Sequence, residues 1–179
     1  MILYHGTDAG SARDIDVHGI NLLAGEPKTD FGQGFYTTID FNTAAERALH
    51  KAIFEDPCVV CVDFDNKMAE TLVFKRFLKP DYQWAQFIIN NRNGIIYAEH
   101  MKYNKHNLDA RYDIVSGQIA DGNIMRIARI LNREKREVGT EDLKLMLARK
   151  FPFQYSFHTE ESLACIKDIS VQNLGGIKR

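Results

Sequence analysis

Asp30 to Thr38, DFGQGFYTT, is the stretch that most constrains this chain. Gly32 and Gly34 flank Gln33 in a turn-forming loop, and the aromatic and β-branched residues up to Thr38 read as a short strand over 34–38. About 25 residues earlier, Leu3-Tyr4-His5-Gly6-Thr7 closes another short apolar run with a glycine of its own. Either segment alone is equally an ordinary strand meeting a turn. The pair is rarer, and it marks two strands whose backbones something can approach closely.

The remaining elements arrange themselves around these two. Ile2 to Tyr4 reads as a strand; Asp8 or Ser11 caps a helix to about Val17, which His18-Gly19 stops. Asn42 or Thr43 caps a second helix, with Ala44, Ala45, Ala48 and Ile53 at helical spacing until Asp56-Pro57. Cys58 to Phe64 is a buried strand, and Leu72 to Phe77 is a further candidate. Pro80 opens a helix in which Trp84, Phe87, Ile88 and Ile89 share a face, ending near Asn93-Gly94. A strand over Tyr112 to Ile119 precedes two helices, Asp121 to about Glu137 and Thr140 to Lys150. Phe153 to His158 is a strand, Thr159 to about Ile166 a helical turn or two, and Ile169 to Gln172 a last strand. Strands and helices do not alternate strictly, and no G-x-G-x-x-G follows the first strand. That favours a single α+β domain over 1–179, with short strands in two packed sheets and 121–150 as an internal helical segment, over a doubly wound dinucleotide fold.

Several classes are disfavoured by composition. A formal net charge of −1 gives no global electrostatic case for nucleic acid or an anionic membrane. No apolar run approaches the roughly 18 residues a membrane span needs. The start, MILYHGT, has no signal-peptide pattern, and three cysteines suit a reducing compartment, so the expected location is cytoplasmic. Cys58 and Cys61, three apart in a strand, point to opposite faces, and the histidines show no metal-ligand spacing; no metal is expected.

Strand alternation puts Leu3, His5 and Thr7 on one face and Ile2 and Tyr4 on the other. Gly6 then leaves room for an amide-bearing ring at the backbone, His5 can donate to a ribose hydroxyl, and Phe31 and Tyr36 offer aromatic faces for a flat cationic ring such as nicotinamide. Near the C-terminus, Gln154, Ser156 and His158 face one way while Phe153, Tyr155 and Phe157 face the core.

Together these residues resemble the ADP-ribosyltransferase superfamily, on the His-Tyr-Glu branch of the poly-ADP-ribose polymerases and diphtheria-like toxins. The match runs through His5-Gly6-Thr7, Gly19-Ile20, FGQGFY ending in Tyr36, and Thr43-Ala44-Ala45. It covers the first 50 or so residues well and the middle poorly. Over its whole length the chain is similar to a bacterial group, the domain-of-unknown-function family 3990, through YHGT, FGQGFYTT, Trp84 with Asn91-Arg92, YDIVSGQIAD and QYSFHTEESL. The resemblance implies a split β-sandwich that uses NAD as substrate and moves ADP-ribose to a macromolecular acceptor, protein or nucleic acid. It also implies a setting such as the toxin of a toxin–antitoxin or phage-defence pair, with an antitoxin protein as partner. By it, His5 holds a ribose, Gly6 binds the carboxamide through its backbone and Tyr36 stacks on the ring. Thr7, Phe31 and Gly34 complete the nucleotide site, with Thr43 offering a hydroxyl to the amide.

The third triad position falls on Gln154, where that branch usually carries glutamate. An amide can accept a bond from the 2′-hydroxyl, but it cannot stabilise the positive charge that grows on the ribose. A full charge at about 4 Å and an effective dielectric of about 20 is worth roughly 4 kcal/mol, about a thousandfold in rate. Glu160, Glu161, Asp113 and Asp121 are candidate helpers, and Gln154→Glu is expected to raise NAD cleavage. The alternative is a non-catalytic NAD or ADP-ribose binding module, or a protein-interaction module. Arg126, Arg129 and Arg133 form a stripe extended by Lys135 and Arg136: an acceptor grip or a solvated face. Arg92 reads as a pyrophosphate ligand or a helix C-cap.

Overall fold

The computed structural model describes residues 1–94, 106–120, 123–147 and 152–175. Its strands are β1 (Ile2–Asp8), β2 (Phe35–Thr38), β3 (Pro57–Phe64), β4 (Phe74–Arg76), β5 (Ile114–Gln118), β6 (Phe153–Phe157) and β7 (Ile166–Asn173). The helices are α1 (Ala9–His18), α2 (Phe41–Lys51), α3 (Asn66–Ala69), α4 (Tyr82–Asn93), α5 (Ile124–Glu134), α6 (Thr140–Met146) and α7 (Glu160–Leu163), with one 3₁₀ turn at Leu22–Ala24. No helix among these residues is long and apolar enough to cross a membrane. The α+β class expected from the sequence holds.

The described strands form one seven-stranded sheet, in the order β4-β5-β6-β2-β1-β3-β7, instead of two separate sheets. The link between its halves is narrow. β1 and β2 register at one position, Tyr4 opposite Thr38, whereas β1 pairs with β3 along its whole length from Ile2 to Asp8. The halves fold toward each other about this seam. Three strand spacings of about 4.8 Å separate β3 from β6 in a flat sheet, yet the rings of Phe64 and Phe157 meet at 5.5 Å. The core inside the fold contains Leu3, Phe35, Val60, Val62, Phe64, Ile114 and Phe157, with Ala12 of α1.

On the other side, α2 covers β1 and β3 through Ala44, Ala48 and Val59. There the second half is covered by α4 and α5, whose Trp84, Phe87, Ile88, Ile127 and Leu131 pack with Phe31 and Val115. From Trp84 to Asn91 every residue of α4 is buried, which is why its apolar residues do not fall on a single stripe. Asp81 caps that helix by accepting from Gln83 and Trp84, and Gly94 ends it in the left-handed conformation.

Boundaries differ from the sequence reading where caps compete. α1 takes Asp8 as its cap. α2 is capped by Asp40, not Asn42 or Thr43, because the Asp40 carboxylate accepts from the Thr43 amide at 2.9 Å. It stops at Lys51, leaving Ile53 exposed beyond it. β1 runs four residues further than expected, since β3 pairs with it as far as Asp8. The helix expected from Asp121 is α5; Asp121 and residues 148–150 lie outside the described set. Cys58 and Cys61 do fall on opposite sides of β3, in different cores.

Candidate functional site

The two glycine-bearing segments lie side by side at the seam. Beyond Tyr4 the β1–β2 register stops, and His5 bridges the strands with its side chain: Nδ1 lies 2.6 Å from the Tyr36 carbonyl oxygen. A carbonyl can only accept, so Nδ1–H donates and Nε2 carries the lone pair of a neutral ring. Burial drives the same way, lowering the His5 pKa from 6.5 to about 4. The ring also lies against Phe35, centroids 4.5 Å apart. His5 therefore presents Nε2 as an acceptor, which reverses the donor role expected for it toward a ribose hydroxyl.

Gly6 is explained by packing. A Cβ there would stand 1.9 Å from the Ala44 carbonyl oxygen and 2.8 Å from the Ala48 nitrogen. The space expected for a ligand on that side is occupied by the backbone of α2. Thr7 is buried, opposite Cys58 on β3.

Tyr36 and Phe31 also depart from the open aromatic slot. The Tyr36 hydroxyl accepts from the Phe31 amide at 2.9 Å, donates to the Gly32 carbonyl at 2.7 Å and lies 2.8 Å from the Thr29 hydroxyl. The phenol thus clasps the turn that opens the glycine loop, and burial holds it in its neutral form by raising its pKa. Its ring is half-buried, edge-on to His158. Phe31 is fully buried, packed on Phe77 and Phe87 in the core under α4. Gly34 lets β6 come close: a Cβ would stand 2.3 Å from the Phe157 carbonyl oxygen and 2.7 Å from His158 Nδ1. Thr43 donates its hydroxyl to Asp40 at 2.6 Å, within the α2 cap.

The third segment joins from β6, where Gln154 registers opposite Thr38 of β2 and Gly117 of β5. Its side chain is buried and its Nε2 donates to Asp30 Oδ2 at 3.0 Å. Asp30 Oδ1 accepts from Arg92 Nε at 2.9 Å and from Nη2 at 2.7 Å. Gly94, not Arg92, is the cap of α4, and the Arg92 guanidinium is held by Asp30 and the Lys28 carbonyl. Ser156, two residues on in β6, and His158, just past its end, are also buried. His158 Nδ1–H donates to the Gln33 carbonyl at 2.8 Å, leaving Nε2 to accept from Ser156 Oγ at 2.8 Å. Burial lowers the His158 pKa to about 4. A serine beside an imidazole acceptor is how nucleophiles are activated, but Ser156 is wholly buried, and its bond orients the His158 ring whose other nitrogen ties the end of β6 to the glycine loop.

His5 and Gln154 do not converge as a triad. Alternation puts His5 with Leu3 and Phe35 on the inner face of the fold, and Tyr36, Gln154 and His158 on the outer face beneath α4. Contact between the motifs runs through the Tyr36 backbone and the Phe35 ring. Of the acids expected to help, Asp113 accepts from the Val73 amide and the Thr159 hydroxyl, and Glu160 and Glu161 are exposed in the first turn of α7. The acid beside Gln154 is Asp30, which sequence reading passed over although it opens the DFGQGFYTT stretch. Its signal was weak: an aspartate in a glycine loop reads as a turn residue, and only the long-range fold brings it to Arg92 and Gln154.

No curated protein and no solved structure matches this chain. A family profile described as "Protein of unknown function (DUF3990)" matches residues 1–167, a span that includes the β1, β2 and β6 segments of the seam. The chain belongs to the DUF3990 family.

Proposed function

We propose that this protein is an NAD-dependent mono-ADP-ribosyltransferase with a macromolecular acceptor, built as a split β-sandwich whose nucleotide site is the β1–β2 seam. The observation that supports this most directly is that the two strands carrying the superfamily-like motifs part at Tyr4–Thr38, with His5 lodged against the Tyr36 backbone. In the reaction, the bond between ribose C1′ and the nicotinamide nitrogen breaks, nicotinamide leaves neutral, and an acceptor nucleophile bonds C1′ while losing its proton. Because the two face opposite sides of the sheet, neutral His5 would accept a hydroxyl bond at Nε2 from the adenosine-side ribose, and Gln154 would accept one from the 2′-hydroxyl of the nicotinamide-side ribose. The acceptor is a protein or a nucleic acid, and the biological setting proposed is a toxin controlled by an antitoxin protein.

A second reading is a non-catalytic NAD or ADP-ribose binding module. It is favoured by the neutral amide at 154 and by the engagement of the nearest carboxylate, Asp30, with Arg92. Purified protein incubated with adenylate-labelled NAD and separated protein and nucleic-acid fractions discriminates between them. Label on one fraction, with nicotinamide released, establishes the transferase. A thermal shift with NAD and no nicotinamide establishes the binding module, and neither signal removes both. In a folded His5→Ala variant, NAD binding is expected to be lost; unchanged binding would move the site away from the seam.

A further inference from the structure

We propose that Asp30 is a positioning residue that locks the Gln154 amide so that Oε1, not Nε2, is the atom presented to a bound ligand hydroxyl. The substrate named for it, the ribose of NAD, rests on the transferase reading above; the lock does not.

A glutamine amide can turn either end toward a ligand. Its oxygen and nitrogen are nearly the same shape, and which one faces a ligand depends on its neighbours. An ionised carboxylate only accepts, so a carboxylate 3.0 Å from one end of the amide requires that end to be the NH₂. Arg92 grips Asp30 Oδ1 with two nitrogens, so that oxygen is taken up as an acceptor and Oδ2 faces the amide. The Asp30 side chain is 6% exposed and Gln154 is 7% exposed, so water competes little for these bonds. Among the described residues, Gln154 Oε1 has no hydrogen-bond partner. A ligand hydroxyl would give it one. The Asp30 charge also polarises the amide, which strengthens its oxygen as an acceptor.

The same geometry explains why this position carries glutamine. A carboxylate at 154 would stand against that of Asp30, and like charges that close cannot both ionise freely. Gln154 is then the neutral partner that Asp30 requires, and the gain expected of Gln154→Glu depends on removing the charge at Asp30. Among the described residues, the other ionisable groups facing Asp30 are Arg92 from α4 and Tyr36 from β2.

Four proteins test this: wild type, Gln154→Glu, Asp30→Asn and the double variant, each melted between pH 4 and pH 8. The carboxyl introduced by Gln154→Glu has its folded pKa raised by Asp30 above an unfolded value of about 4.3. Its stability is therefore fully present near pH 4 and lost as pH rises through the folded value. The Tm deficit against wild type at the same pH is expected to widen by roughly 5 °C toward pH 8, and in the Asp30→Asn background this widening is expected to vanish. A deficit that is flat with pH, or unchanged by Asp30→Asn, overturns the lock. Nicotinamide release from NAD tests the positioning: Asp30→Asn is expected to lower kcat about tenfold with KM near wild type, and Asp30→Asn with Gln154→Glu to restore it. An unchanged kcat in folded Asp30→Asn overturns the positioning role. Wild type that neither binds nor cleaves NAD, with the pH coupling intact, overturns the transferase reading and the ribose as ligand, leaving the lock standing.

Discussion

The two sides of the seam hold their strands by different means. On the β1 side, α2 lies directly on the strand, and the absence of a side chain at Gly6 allows the backbone of Ala44 and Ala48 to approach. On the β2–β6 side, buried polar groups do the joining: Asp30 with Arg92 and Gln154, and Ser156 with His158 and the Gln33 carbonyl. Backbone packing tolerates no added atom. A polar network tolerates replacement of its members if every remaining group keeps a partner. The same chain thus carries one half that answers to volume and one that answers to charge and pH.

The sharpest break should come from Gly6→Ala. With a helix backbone rather than a flexible side chain in the way, about 4 kcal/mol or more of stability should be lost, or folding abolished. Chemical denaturation measures it; a loss under 1 kcal/mol would mean that α2 does not seat on β1 as described. On the other side, Arg92→Ala strips a buried carboxylate of its cation and should cost about 3 kcal/mol. Arg92→Ala combined with Asp30→Asn should recover part of that, because the uncompensated charge is gone. Recovery would confirm charge as the determinant there, and simple additivity would point to lost packing.

A smaller effect separates the halves by pH. His5 and His158 both have pKa values lowered by burial from 6.5 to about 4. Groups depressed in this way contribute stability that is fully present above about pH 6.5 and declines as pH falls toward 4. An unfolding free energy that drops between pH 7 and pH 5, by on the order of 2 kcal/mol for each histidine, is the expected result. His158→Gln should remove about half of that slope, and the half that survives in this variant belongs to His5; an unchanged slope would assign it to His5 alone. The smallest effect is at the start of α2: Asp40→Ala should cost about 1 kcal/mol, the value of a helix cap. If Thr43→Val weakens NAD binding far more than it weakens the fold, the Thr43 hydroxyl has a ligand role beyond its bond to Asp40.

Much of the local structure was legible because its causes are local. Gly94 ends α4 where the Asn93-Gly94 signal put its end, although Asp81 and not Pro80 sets its start, and the β-branched run from Cys58 to Phe64 forms β3 because alternation and burial agree along it. The facing of Gln154, Ser156 and His158 away from Tyr155 and Phe157 follows from period-two geometry alone. The site was legible only as a set of segments. That β1 and β2 part at one residue pair, that one sheet bends where two were expected, and that His5 projects to the opposite face from Tyr36 are outcomes of pairing between distant strands. What a residue's neighbours in sequence dictate, its helix, strand or cap, the sequence determined. Partners such as Asp30 for Gln154 and α2 for Gly6 were decided only by tertiary structure, since hydrogen bonds and steric contacts act over a few ångströms in space whatever the distance along the chain.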